Sequence, residues 1–354
     1  MKKRRCAVVG ATGIVGQTFL RLLHDHPYFT VAAICASETR IGEKLGQSIP
    51  FLQESLPSEI LNMSLSGMCI DGLKQEGISI VFSALPADIA KPFESAAAEA
   101  GLGVFSNASA HRMDKSVPIL IAEINSEHLE LIKTQSWNGS SGGFIVTNAN
   151  CTTTGLCVAL APISDLGIEE LIVSSYQALS GAGYPGHAAL EMSANCIPHI
   201  PKEEEKVRIE TKKIFGTFAR DGIKPSNWAV FPHCVRVSTP VGHLISVHAK
   251  IAKRADVKTI AERFRKFKPP NRISQLPSSP YQAVLLRDEP DRPQPRLDSA
   301  AGEPERARGM AVSVGRLSVS GKIIRFVALS HNLIRGAAGG SILNAELLYR
   351  EGWL

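Results

Sequence analysis

What this sequence lacks narrows it before anything it contains. Its seven cysteines are odd in number, none sits in a CxxC pair, and no spacing resembles a zinc site or a disulfide framework. That argues against a cystine-stapled scaffold and for reduced thiols in a cytoplasmic protein, with no metal site expected. No apolar run reaches about 18 residues, so no membrane-spanning helix is expected. The opening MKKRRCAVVG imitates the basic region of an export signal, but its apolar run stops at Gly10, and Gln17, Arg21 and His24 follow. Export is therefore not expected. There is no low-complexity tract and no internal repeat. The 39 Lys and Arg residues outnumber 33 Asp and Glu by +6 but are dispersed along the chain. Dispersal argues against nucleic acid, and a small anionic substrate accounts for a mild basic excess equally well.

What is present is an ordinary globular composition, 44% hydrophobic and 20% charged over 354 residues, enough chain for two cores. The first third alternates between types. Strands are expected at 6–9, 28–36, 78–85 and 102–105, and helices at 14–25 and 86–100. Such alternation implies parallel pairing with helices on both faces, a Rossmann-like doubly wound α/β sheet. Residues 135–143 (QSWNGSSGG) read as a loop before a strand at 144–147. After Cys151 a helix at 152–166 gives way to β-rich stretches at 168–179, 228–252, 281–287 and 309–330, which suit an α+β domain with a mixed or antiparallel sheet. The stretch 290–308 is too rich in Pro and charge for core and reads as an excursion. A last helical run, 336–349, is expected to return to the first domain. The expected division is 1–150 with 332–354, a nucleotide-binding domain, and 151–331, a catalytic and dimerisation domain.

Two motifs carry chemistry. GATGIVG, with Gly10, Thr12, Gly13, Ile14, Val15 and Gly16, follows the first strand and opens the first helix. That is the setting of a dinucleotide fingerprint: glycines admit the pyrophosphate and the helix start offers N–H donors. Its spacing is GxxGxxG, and the bland alternative is a tight turn with no ligand. After the second strand come Ser37, Glu38, Thr39 and Arg40. Two hydroxyls and a cation suit a 2′-phosphate and favour NADP, while Glu38 keeps NAD open. The second motif is TNANCTTTG, 147–155. A strand ending at Asn150 and a helix starting at Thr152 put the Cys151 sulfur at a helix start, where a thiol falls from about 8.5 to roughly 3.5–7.5 and unpaired N–H groups favour negative charge. The other six cysteines read as small buried hydrophobes. A thiolate in a nucleotide-binding chain suggests acyl transfer to sulfur followed by hydride transfer. The best proton-handling candidate is His243 in RVSTPVGH, after Gly242 and near Arg236, although a lone histidine is more often structural.

These residues resemble aspartate-semialdehyde dehydrogenase, in its archaeal and fungal-type branch, over nearly the whole chain. The resemblance rests on GATGIVG, SALP (83–86), the NAS..R pattern (107–112), NCTTTG, SYQALSGAGYPG (175–186), NCIPHIPKEEEK (195–206), RVSTPVGH, PDRPQPRLD and GAAGGSILNAELL. It implies that Cys151 is the nucleophile and His243 the acid/base catalyst. Arg236 would clamp the substrate carboxylate, since a guanidinium fork binds carboxylates bidentately. Glu203 or Glu204 would receive the ammonium group, Lys206 and Arg112 the phosphate, and Asn150 and Gln177 would position the acyl group. Ser83 and Leu85, the turn with Ser180, Gly181 and Gly183, and Asn332 match cofactor contacts. The branch has proline where this chain has Ser238, which loosens one turn without removing a functional group.

The resemblance implies reduction of L-4-aspartyl phosphate by NADPH to aspartate 4-semialdehyde, on the route to lysine (through diaminopimelate), threonine and methionine, by a homodimer or homotetramer. Malonyl-CoA reductase and N-acetylglutamyl phosphate reductase share the scaffold and stand as alternatives. A non-enzymatic NADP-binding regulator is a remote one.

Overall fold

The computed structural model describes residues 2–51, 54–219 and 222–354. By contact the chain divides into two units. Residues up to 120, 127–149 and 337–354 make one, and 121–126 with 150–336 the other.

The first unit is built on five parallel strands, β1 (Arg4–Val9), β2 (Phe29–Cys35), β3 (Ile80–Ser83), β4 (Gly103–Ser106) and β5 (Phe144–Thr147), in the order β2-β1-β3-β4-β5. All four residues of β3, β4 and β5 are buried, as expected of parallel strands covered on both faces. Phe82 and Phe105 pair in register, and the rings of Phe29, Phe82, Phe105 and Phe144 follow one another across the sheet at 5.6–5.9 Å between neighbouring centroids. On the opposite face Ala7, Val9, Ala33, Val81, Val104 and Ile145 pack with Ala97 and Ala98 of a helix. Its helices include α1 (Ile14–Leu23) and α2 (Ala87–Glu99). The last helix, Gly339–Arg350, belongs to this unit: Glu346 meets His26 at 2.8 Å with both side chains fully buried, and Asn344 donates to the Leu120 carbonyl. The strand order reverses between β1 and β3, so the carboxyl ends of those two strands flank the switch point where such sheets bind ligands.

The second unit carries a six-stranded mixed sheet in the order β11-β12-β13-β10-β6-β9. Its strands are β6 (Ile168–Gln177), β9 (Ala229–Arg236), β10 (His243–Ile251), β11 (Val284–Leu286), β12 (Val312–Ser320) and β13 (Ile323–Ser330), and a separate antiparallel pair, β7 (Thr217–Ala219) and β8 (Gly222–Lys224), lies outside it. The pairs β11/β12 and β6/β9 are parallel and the rest antiparallel. Helix α3 (Cys151–Leu160) is buried from Thr152 onward, so apolar and threonine side chains surround it without an amphipathic stripe. Gly155 lets it approach β13 closely: a Cβ there would lie 2.6 Å from Ser330 Cβ. Helix α4 (Glu203–Ile214) packs on α3 and β9. A further helix, α5 (Val257–Lys266), is capped by Asp256, whose carboxylate accepts the Thr259 N–H. On the sheet, Ile172, Tyr176 and Phe231 remain 40–56% exposed.

Several expectations need correction. Residues 135–143 are not all loop: Ser136–Ser141 form a short helix that Gly142 ends at φ +77. The helix expected to 166 stops at Leu160 and tightens to a 3₁₀ turn, Ala161–Leu166, with Pro162 at its start. The charged stretch 290–308 is not simply solvated: Asp298 is buried and accepts from Arg292 and from the Gln294 N–H. Segments 121–126 and 332–336, expected in the first domain, fall in the second unit, where buried Arg335 and Glu123 form a two-point ion pair at 2.6 and 2.8 Å. Of the six cysteines read as buried, Cys69 and Cys196 are exposed.

Candidate active site

Asn150 is a strong helix cap by residue type, and here its Oδ1 accepts the N–H groups of Thr152 at 3.0 Å and Thr153 at 3.1 Å. That places Cys151 as the first residue of α3. It also corrects one expectation: those two N–H groups, expected to be unpaired, are taken by the cap.

The sulfur faces a histidine. Cys151 Sγ lies 3.2 Å from Nε2 of His243, the first residue of β10. The other ring nitrogen, Nδ1, accepts the backbone N–H of Ala178 at 3.1 Å. A main-chain amide can only donate, so the neutral ring carries its proton on Nε2, pointed at the sulfur. His243 is fully buried, and its pKa is pushed down to about 3, chiefly by burial, with Arg236 and His331 adding to it. It is a neutral donor across the physiological range.

Arg236 ends β9, opposite Gln177 of β6 in register. It is buried, donates Nη1 to the Ala178 carbonyl at 2.7 Å, and its Nε has no partner. Burial holds its pKa below the ordinary value against the pull of Cys151 and Glu203. Ala178 thus orients both side chains through one residue's main chain, a role no side-chain pattern announces. Gly181 completes the enclosure: a Cβ there would lie 2.8 Å from Arg236 Nη1 and 3.0 Å from His243 Cε1.

The acid of the cluster is Glu203. Its Oε1 accepts the side-chain amides of Asn150 at 2.8 Å and Gln177 at 3.2 Å, and its Oε2 lies 3.5 Å from Lys206 Nζ. Glu204 goes elsewhere, its carboxylate accepting the Cys234 N–H at 3.2 Å. Asn332 donates to Ser180 Oγ and accepts the Gly242 N–H, both at 2.9 Å, and so joins the 179–182 turn to the turn before His243. Gly242 there has φ +98, which a side chain would resist. Gly183 closes the first of these turns with φ +74. Two residues at this site escaped the sequence reading. Gly336 packs on the nucleophile candidate so closely that a Cβ would stand 2.7 Å from Cys151 Cβ. Glu210 accepts the Asn150 N–H at 2.7 Å, and its spacing of seven from Glu203 is the signal that places it on the same helix face.

In the first unit, Gly10 turns at φ +77 with its Cα against the carbonyl of Ala84, just past Ser83, and Gly16 sits where a Cβ would be 2.2 Å from the Gly10 carbonyl. Gly13 precedes α1 with no side-chain cap and is exposed, with Thr12 and Val15 partly exposed and Ile14 buried. These uncapped helix-start N–H groups suit a pyrophosphate. Ser37 and Thr39 present exposed hydroxyls 3.2 Å apart, and Arg40 donates to the Ser48 carbonyl. Leu85 follows Ser83 at the end of β3 and is partly buried. Arg112 also lies in this unit, buried, donating to the carbonyls of Asn148 at 2.9 Å and Asn107 at 2.8 Å.

Profiles described as "Semialdehyde dehydrogenase, NAD binding domain" and "Semialdehyde dehydrogenase, dimerisation domain" match residues 5–132 and 160–335. An aspartate-semialdehyde dehydrogenase of Archaeoglobus fulgidus is 43% identical, with 97% of each chain covered. The chain belongs to the semialdehyde dehydrogenase family. Within the family, the crystal structure of the Candida albicans aspartate semialdehyde dehydrogenase with NADP superposes with a TM-score of 0.88 at 34% identity and complete coverage of both chains. The NADP malonyl-CoA reductase of Metallosphaera sedula, 34% identical, covers 99% of this chain and 98% of its own. The resemblance read from the motifs, and the fold of two different sheets, are both borne out.

Proposed function

We propose that this chain is an NADP-dependent aspartate-semialdehyde dehydrogenase, reducing L-4-aspartyl phosphate to L-aspartate 4-semialdehyde with release of phosphate, for amino-acid biosynthesis. The observation that carries the reading is the company of the sulfur: a donor histidine at 3.2 Å, together with a buried arginine and a buried glutamate. An α-amino acid substrate offers one carboxylate and one ammonium group, which Arg236 and Glu203 match.

In this reading Cys151 Sγ attacks the acyl carbon, the bond to the phosphate oxygen breaks, and a thioester forms on sulfur. Lys206 and Arg112 hold the phosphate, Asn150 and Gln177 orient the acyl group, and Arg236 fixes the substrate carboxylate. Residues 10–16, with Ser37, Thr39, Arg40 and Ser83–Leu85, would hold NADPH, the resemblance assigns Ser180–Gly183 and Asn332 further cofactor contacts, and the nicotinamide would supply the hydride. His243 keeps a proton at Nε2, donating a hydrogen bond to the oxygen as negative charge develops there, and the carbon–sulfur bond then breaks to free the aldehyde and restore the thiolate. The exposed Ile172, Tyr176 and Phe231 support a homodimer or a dimer of dimers that buries this sheet face. A free-thiol nucleophile suits a reducing cytoplasm.

The test is oxidation of aspartate semialdehyde followed at the nicotinamide absorbance, with NADP and with NAD, with and without phosphate. Phosphate-dependent reduction of NADP is expected. Phosphate-independent turnover, or a preference for malonyl-CoA in the reductive direction, would replace the reading with that of the sister enzyme.

A further inference from the structure

We propose that Glu210 is a positioning residue for the Cys151 nucleophile, acting through Asn150; this rests on the reading above that Cys151 attacks. Glu203 and Glu210 are seven apart on α4, two helical turns, so both project from one face about 10 Å apart along the axis. Each takes a different end of the same residue. Glu203 Oε1 accepts the Asn150 side-chain amide at 2.8 Å, and Glu210 Oε2 accepts the Asn150 main-chain N–H at 2.7 Å. Both acids are nearly inaccessible, 5% and 2% exposed. Hydrogen bonds to buried carboxylates are the stronger kind, and each fixes a different degree of freedom. Glu203 sets the amide so that Oδ1 faces the helix start, where it caps Thr152 and Thr153. Glu210 fixes the backbone of the cap itself, one bond sequence before Cys151. Loss of the first loosens a side chain; loss of the second lets the first turn of α3, and the sulfur with it, move relative to His243. Displacements of about 1 Å at a reacting atom cost on the order of a hundredfold in rate.

The experiment compares Glu210→Ala, Glu210→Gln and wild type by the rate of Cys151 alkylation with iodoacetamide, mapped by peptide mass, and by steady-state kinetics. Alkylation needs no substrate, so it reports positioning even if the chain proves to act on another acyl donor. Glu210→Ala is expected to slow Cys151 alkylation and kcat by about tenfold or more, with KM for aldehyde, phosphate and NADP within about twofold. Glu210→Gln, which keeps an acceptor oxygen at the same reach, is expected to recover most of both. Wild-type alkylation in Glu210→Ala, a loss shared equally by KM, or a glutamine variant as slow as alanine overturns the proposal. If Glu210→Ala does not fold, Glu210→Asp withdraws the carboxylate by one methylene: slowed alkylation supports the proposal and a wild-type rate overturns it.

Discussion

In the first unit the loop from Gly10 to Gly16 offers a ligand mostly main chain: the glycines are there because a Cβ at Gly10 or Gly16 would strike a carbonyl at 2.7 or 2.2 Å. In the second unit the sulfur is surrounded by side chains from several stretches of sequence, at 150–151, 177–181, 203–210, 236–243 and 332–336. The first arrangement suits charge that many nucleotides share, through backbone N–H groups and a helix start. The second suits one arrangement of functional groups, and each of its members is held by another, Asn150 by Glu203 and Glu210, His243 and Arg236 by Ala178. The contrast separates general affinity, which backbone supplies, from chemical selection, which needs side chains fixed by their neighbours.

Substitutions can break or sharpen that contrast. The largest effect is expected from Cys151→Ser, which should leave less than about one-thousandth of wild-type kcat while NADPH binding, read by fluorescence titration, stays unchanged. His243→Ala, which removes the Nε2 hydrogen-bond donor, is expected to lower kcat by about 10²–10³-fold. Because folded His243 titrates near 3 rather than at 6.5, the wild-type kcat profile should show no His243 limb around 6.5. The same shift has a stability consequence: between those values the unfolded chain binds more protons, so acid weakens the fold as pH falls from 6.5 toward 3. The slope is at most about 1.4 kcal/mol per pH unit, and His243→Ala should remove it in denaturant titrations at several pH values. Gly16→Ala forces the loop apart and should weaken NADPH binding by about tenfold or more, with Cys151 alkylation unaltered. Gly181→Ala crowds Arg236 and His243 and is expected to cost a few-fold to about tenfold in kcat, with little change in melting temperature. A Gly16→Ala protein with normal NADPH affinity would remove the basis for treating the loop as the nucleotide cradle.

The glycine turn and the strands around it were legible because their information is local: a strand, a turn and a helix follow one another in fewer than twenty residues, and each has its own periodicity. The second site was legible chiefly through Cys151, whose polar approach and threonine-rich helix announce a helix start. Glu203 and Lys206 read as an exposed helix face, and Arg112 as a surface charge, until the family motif singles them out, since nothing near them in sequence says that α4 turns Glu203 inward or that Arg112 is buried. The choice between Glu203 and Glu204 needed helix phase: one points to Asn150 and the other to the Cys234 N–H. Composition misled where burial was bought by pairing, as with Asp298 beside Arg292, and where Ser136–Ser141 forms a helix despite a loop-like string of Gly, Asn and Ser.

With the His243 Nδ1 lone pair committed to the Ala178 N–H and the proton resident on Nε2, the ring has no vacant basic nitrogen with which to deprotonate a water molecule. On the proposed mechanism, a thioester on Cys151 is thereby spared the leak that a free imidazole would open, and acyl groups pass on to reduction or return to phosphate instead of being lost as free acid.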